Sequence, residues 1–171
     1  MSVNIRKMTN DEFQNFYQWS VEHHAKELME EMHISPEEAI KETIEEVAAM
    51  LPDALNTKNN CLMSIVEADS DEIVGFIWTI YEDSNGRKQS FLCDFAIWKS
   101  KRRRGYGEAA LCLAEKNAKE AGCQESVLFV ADQNVPARAL YQKSGYQFLR
   151  KAGCGMYMIK HLLQYTTNHI P

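Results

Sequence analysis

Residues 98–122 read WKSKRRRGYGEAALCLAEKNAKEAG, and five of the six residues from Lys99 to Arg104 are basic. The charge runs directly into Gly105-Tyr106-Gly107. A helical pattern follows from Gly107 to Ala121, with Ala110, Leu113, Ala114, Ala118 and Ala121 on one face and Gly122 as its stop. Before the turn, Lys88 to Trp98 alternates Phe91, Cys93, Phe95 and Ile97 with Leu92, Asp94, Ala96 and Trp98. Both sets are mostly apolar, which predicts a central strand covered on both sides. Strand end, basic turn, glycines and helix start therefore stand in a row. A helix N-terminus offers unpaired N–H groups and the positive end of the helix dipole. Glycines let an anion come close to the backbone, and arginines fork onto phosphate oxygens. A polyphosphate ligand fits these features. A solvated basic loop with glycines for a tight turn is the alternative.

The surrounding chain limits what such a ligand can be. Its 171 residues suit one domain over 1–171, long enough to bury a core. The formal net charge is −5, so general affinity for nucleic acid or an anionic membrane is not expected, and an anion site must be local. The first residues, MSVNIRKMTNDE, lack the apolar core of a signal peptide. No apolar run approaches the roughly 20 residues that span a bilayer. Five scattered cysteines without a C-x-x-C pair support neither a zinc knuckle nor a disulfide framework. Free thiols in a reducing cytoplasm are the expectation.

Working outward, Val3 to Met8 reads as a strand, and Thr9-Asn10-Asp11-Glu12 as a capping box. Phe13, Tyr17, Val21, His24 and Leu28 then form one helical stripe. Ser35 and Pro36 start a second helix, with Ile40, Ile44, Val47, Ala48 and Leu51 as its inner face. Cys61 to Ala68 and Ile73 to Tyr81 are strands, and Asn85-Gly86 is a hairpin turn into Lys88 to Trp98. Val127 to Ala131 is a short strand. Asn134 caps a helix that Gly145 ends, and Tyr146 to Arg150 and Gly155 to His161 close the chain as a hairpin. The order β-α-α-β-β-β-α-β-α-β-β predicts an α+β, three-layer fold: a mixed, mostly antiparallel central sheet with helices on both faces.

The basic turn is not a Walker A loop, since no G-K-[ST] follows. It is not a Rossmann fingerprint either, since position 110 is Ala. It is Arg102-x-x-Gly105-x-Gly107, which resembles the R/Q-x-x-G-x-G/A signature of the GCN5-related N-acetyltransferases (the GNAT superfamily). A second segment, NVPARALYQKSGY, is similar to that family's N-x-x-A-x-x-x-Y-x-x-x-G-[FY] pattern at Asn134, Ala137, Tyr141, Gly145 and Tyr146. The element order agrees along nearly the whole chain, and MYMIKHL resembles the last strand. The resemblance implies an acyl-CoA N-acyltransferase-like fold and acetyl-CoA as acyl donor.

It also implies roles. Arg102, Arg103, Arg104, Gly105, Tyr106, Gly107 and Glu108 would hold the pyrophosphate, largely through backbone N–H groups. The backbone of Phe95, Ala96 and Ile97 would pair with the pantetheine arm, and the Ile97 N–H would polarise the thioester carbonyl. Asn134 and Ala137 would border the cofactor, with a plain helix cap as the alternative for Asn134. Tyr141 matches the tyrosine that protonates the departing thiolate; an aromatic packed at a helix end is its alternative.

Asp94 is the one acidic residue between Ser90 and Lys99, and desolvation there would make it a candidate general base. A buried structural carboxylate bonded to backbone groups or a nearby cation is the other reading. Some polyamine-acetylating relatives carry glutamate at the position of Cys93, and many members carry a proline near Trp98-Lys99-Ser100; this chain departs from both.

Residues 27 to 46 hold eight glutamates against Lys41 alone. In the resembled family this region walls the acceptor, and such a wall would attract a cationic amine; a solvated helix face is the alternative. His23, His24 and His33 lie near without metal-ligand spacing, so no metal is expected. Any of the three could relay a proton. The expected activity is transfer of acetyl from acetyl-CoA to a primary amine by direct attack in a ternary complex. A non-catalytic CoA-binding sensor with the same fold is the alternative, and assembly as a homodimer stays open.

Overall fold

The structure is a computed structural model and describes residues 2–163. Its elements are β1 (Val3–Lys7), α1 (Asn10–Met32), α2 (Pro36–Met50), β2 (Asn60–Glu67), β3 (Ile73–Ser84), β4 (Arg87–Ile97), α3 (Tyr106–Glu120), β5 (Glu125–Ala131), α4 (Val135–Lys143), β6 (Gln147–Ala152) and β7 (Gly155–His161). The strands form one seven-stranded sheet in the order β1-β2-β3-β4-β5-β7-β6. Every neighbouring pair is antiparallel except β4 and β5, which α3 connects. Among the described residues no helix is long and apolar enough to cross a membrane.

Local chemistry fixes each helix. The Thr9 hydroxyl accepts from the Glu12 N–H, and the Glu12 carboxylate accepts from the Thr9 N–H at 2.9 Å, so the capping box forms. Glu12 also takes both Arg6 guanidinium nitrogens at 2.8 Å and the Ser64 hydroxyl at 2.9 Å, pinning the start of α1 to β1 and β2. The Arg6 contact leads in holding its carboxyl down at about 2. Ser35 caps α2, with Pro36 in the first turn.

Two cores lie on opposite faces of the sheet. On one, α1 and α2 bury Phe13, Phe16, Val21, Val47 and Leu51 against Leu62, Phe76 and Trp78. On the other, Tyr106, Ala110, Leu111 and Ala114 of α3 and Tyr141 of α4 pack on Ile65, Val74, Ile77, Leu92, Leu128 and Met158.

Three patterning expectations need correction. The buried stripe of α1 is Phe13, Phe16, Ser20, Val21 and Ala25, with Tyr17, His24 and Leu28 at its half-buried margin. In α2 the inward residues are Ala39, Thr43 and Val47, while Ile40, Ile44 and Ala48 are exposed. That face is where α2 packs against α1 and the sheet. In α3, Leu111 is fully buried and Leu113 only half-buried.

The fourth correction bears on function. Strand β4 does not alternate cleanly. Trp78 pairs with Asp94 but Thr79 pairs with Leu92, so Cys93 is an extra residue, a β-bulge. The bulge resets the faces: Leu92, Phe95 and Ile97 join the α3 side, and Cys93, Ala96 and Trp98 join the α1 side.

Candidate active site

Strands β4 and β5 pair only from Gln89–Glu125 to Leu92–Leu128. Beyond that, β4 runs on to Ile97 and β5 to Ala131. The two strand ends therefore part just after the bulge. The Trp98 N–H donates to Val74 O at 2.8 Å, and Gly75 stands opposite Ile97. In an antiparallel ladder successive residues point their N–H and C=O groups to alternate sides. The Ile97 and Phe95 backbone groups thus point away from β3, toward the gap left by β5. A Cβ on Gly75 would fall 2.0 Å from Ala96 O, so glycine there lets β3 follow this end of β4 closely.

The basic turn follows immediately. Arg103 and Gly105 take positive φ, 63° and 82°. Alternating left-handed residues of this kind turn successive N–H groups toward one concavity, a backbone anion nest. Gly105 caps α3 without a side chain, leaving the first-turn N–H groups unclaimed by any cap. A Cβ on Gly107 would come 3.3 Å from Leu140, 3.7 Å from Phe95 and 3.8 Å from Ile97. The start of α3, the end of β4 and helix α4 therefore converge at this glycine.

The side chains of the turn have separate tasks. Arg102 Nε donates to Ile97 O at 2.9 Å, folding the turn back on β4. Tyr106 is buried, with its hydroxyl bonded to Glu67, so it faces a ligand only through its backbone. Glu108 pairs with Lys143 at 2.6 Å and links α3 to α4. Lys101 pairs with Glu72. Arg103 and Arg104 are exposed.

Helix α4 carries Tyr141. Asn134 caps it, accepting the Ala137 N–H at 3.3 Å. Gly145, at φ 92°, turns the chain so that Tyr146 lies beside Tyr141, ring centroids 5.9 Å apart. The two phenols differ. Tyr146 shares a 2.7 Å hydrogen bond with Ser126. Among the described residues no group hydrogen-bonds the Tyr141 hydroxyl, although the residue is 8% exposed. Burial, with the Asp94 charge second, pushes the Tyr141 phenol above its ordinary range, so it stays protonated at neutral pH.

Asp94 follows the bulge and lies on the α1 side. It is 6% exposed, and both its oxygens are engaged: Oδ2 accepts from Ser20 Oγ at 2.8 Å, and Oδ1 meets His24 Nε2 at 2.9 Å. The other imidazole nitrogen lies 3.4 Å from Glu27. Hydrogen bonding to Asp94, then to Glu27, outweighs burial and raises the imidazole to about 10. His24 is a cation at neutral pH. A raised folded value means this proton stabilises the fold fully below about 6.5 and that the contribution fades as pH climbs toward 10. Burial, with the Asp94 charge second, pushes the Cys93 thiol above its ordinary range, so it offers no base at neutral pH.

Phe95, Ile97, Ala137 and Tyr141 share the cluster on the α3 side, where Phe95 and Ile97 also meet Gly107, while Ala96 packs on the α1 side. Asn134 sits at the outer end of α4. The eight glutamates between residues 27 and 46 are exposed, and of these only Glu27 makes an ion pair among the described residues. Sequence reasoning did not single out Ser20 or the bulge, and it left His24 undistinguished from His23 and His33. The available signal was that His24 borders the inward stripe of α1 while Asp94 is the lone carboxylate of an apolar strand.

Known proteins resemble this chain in sequence and in fold. The model of the Acetyltransferase (GNAT) family matches residues 13–146. The uncharacterized N-acetyltransferase YycN of Bacillus subtilis is 27% identical over 147 residues, covering 86% of this chain and 94% of that protein. The crystal structure of YycN is similar with a TM-score of 0.81 at 26% identity, covering 89% of this chain and 96% of YycN. A PaiA N-acetyltransferase of Thermoplasma acidophilum, solved in complex with coenzyme A, shares the fold with a TM-score of 0.69 at 22% identity over 94% of this chain and 99% of that one. With the family model spanning the chain from α1 to the residue before β6, this protein belongs to the acetyltransferase (GNAT) family.

Proposed function

We propose that the protein transfers an acetyl group from acetyl-CoA to a primary amine by direct attack in a ternary complex. The observation that carries the reading is the convergence at Gly107: the nest, the unpaired end of β4 and the helix bearing Tyr141 meet around one gap. The coenzyme A bound to the PaiA N-acetyltransferase supports the choice of donor. The N–H groups of Arg103 to Glu108 would receive the pyrophosphate, with Arg102 fixing the turn. The pantetheine arm would lie along Phe95 to Ile97 as a strand-like partner, passing Ala137 and Asn134.

The chemistry then needs little movement. The amine nitrogen attacks the thioester carbonyl carbon. Charge develops on its oxygen, where the Ile97 N–H donates. The carbon–sulfur bond breaks, and the thiolate takes the Tyr141 hydroxyl proton. Burial that raises the phenol also raises the proton affinity of a thiolate released beside it. The amine's surplus proton leaves on the Asp94 side, and Tyr141 regains its own from solvent. Five free cysteines suit a reducing cytoplasm.

The test is incubation with acetyl-CoA and a panel of primary amines, following thiol release and the mass of the acetylated amine. Release that depends on one class of amine is expected. Tight acetyl-CoA binding with no amine-dependent release across the panel would favour a CoA-binding module without turnover.

A further inference from the structure

Asp94 has a partner that the family motifs do not include. Ser20, His24 and Glu27 stand at i, i+4 and i+7 on α1, so they form one line along the helix facing the bulge of β4. The line runs from fully buried Ser20 through half-buried His24 to exposed Glu27. Ser20 and His24 each take one Asp94 oxygen, at 2.8 and 2.9 Å, which fixes the plane of the carboxylate. Each oxygen keeps a further lone pair for an arriving N–H. Glu27 holds the far side of the ring. An aromatic shelf supports the line: Trp19 stacks on His23 with centroids 4.6 Å apart, and Trp19 packs edge-on against Phe76.

We propose that His24 is the positioning residue of the acceptor side, whose ring, held by Glu27, keeps the Asp94 carboxylate oriented beside the reacting amine. The inference rests on the transferase reading above. Without the imidazole, Oδ1 would lose its 2.9 Å partner and the plane of the carboxylate would be fixed by Ser20 alone. The titratable groups facing His24 are Asp94 from β4 and, from its own helix, Glu27 and the His23 ring, edge-on with centroids 5.6 Å apart. The Cys93 thiol and the Tyr141 phenol feel Asp94 in turn, and both are neutral at working pH.

The test compares kcat/KM of His24→Gln with that of the wild type across pH. The ratio cancels the acceptor's own ionisation. Gln keeps an N–H donor and loses the charge. The ratio should approach unity near pH 10, where His24 itself gives up its proton. It should fall at least about tenfold by about pH 6, where His24 carries the charge that Gln lacks. A flat ratio, whether at unity or uniformly low, overturns the inference.

A second measurement does not depend on activity. Imidazole NMR titration should place His24 far above the ordinary histidine range in the wild type, and Asp94→Asn should lower it. Ordinary titration unchanged by that substitution also overturns the inference. An active wild type with either overturning result leaves the transferase reading standing. A wild type inactive on every amine, with His24 high and dropped by Asp94→Asn, overturns the catalytic role together with that reading.

Discussion

Replacing Tyr141 by Phe is expected to lower kcat by about 10²–10⁴-fold, the usual range for losing a positioned general acid. The dissociation constant for acetyl-CoA should hardly change. The ring stays buried against Tyr146, and the hydroxyl bonds no described residue, so packing and fold are kept. A loss confined to kcat marks an interaction made in the transition state alone. Single-turnover rates beside a binding titration separate the two quantities. Retained turnover would remove Tyr141 from the chemistry. Lost CoA affinity would make it a binding residue instead. The neighbouring phenol supplies the control: Tyr146→Phe breaks the 2.7 Å bond with Ser126 and should act on stability more than on rate.

Gly107→Glu is expected to weaken acetyl-CoA binding by about 100-fold or more. Even a Cβ at 107 would sit within van der Waals reach of Leu140, Phe95 and Ile97. A carboxylate beyond it would enter the place proposed for the pyrophosphate. Like charges forced together cost several kcal/mol, and each ~1.4 kcal/mol is tenfold in affinity. The fold should survive, because an acidic residue in the first turn of a helix is favourable to the dipole. Equilibrium titration and a far-UV spectrum check both halves of the expectation. Unchanged affinity would move the phosphate site away from α3.

Much of this molecule is legible in its sequence because the decisive signals are local. Thr9 with Glu12, Ser35 with Pro36, Asn85-Gly86 and Gly145 each fix a cap or turn within four residues, and all form as expected. The positive φ at Gly105 is local in the same way. The bulge at Cys93 is not: it depends on register against Trp78 and Thr79, which no pattern within β4 records. Nor do the exposed Ile40 and Ile44, since the close approach of α1 decides which stripe of α2 turns inward. The Asp94–His24 pair joins residues 70 positions apart and depends on the angle at which α1 crosses the sheet. Contacts made by tertiary packing are where sequence reading stops.

Acetyl-CoA is proposed to enter the gap between β4 and β5 against the start of α3. The most direct test is a thermal denaturation series with increasing acetyl-CoA on the wild type and on Gly107→Glu. At about 100 times its dissociation constant the ligand should add roughly 2.7 kcal/mol, several degrees in Tm for a chain of this size. A clear wild-type shift that the variant lacks is the predicted result. No wild-type shift, or an equal one in the variant, would contradict the account.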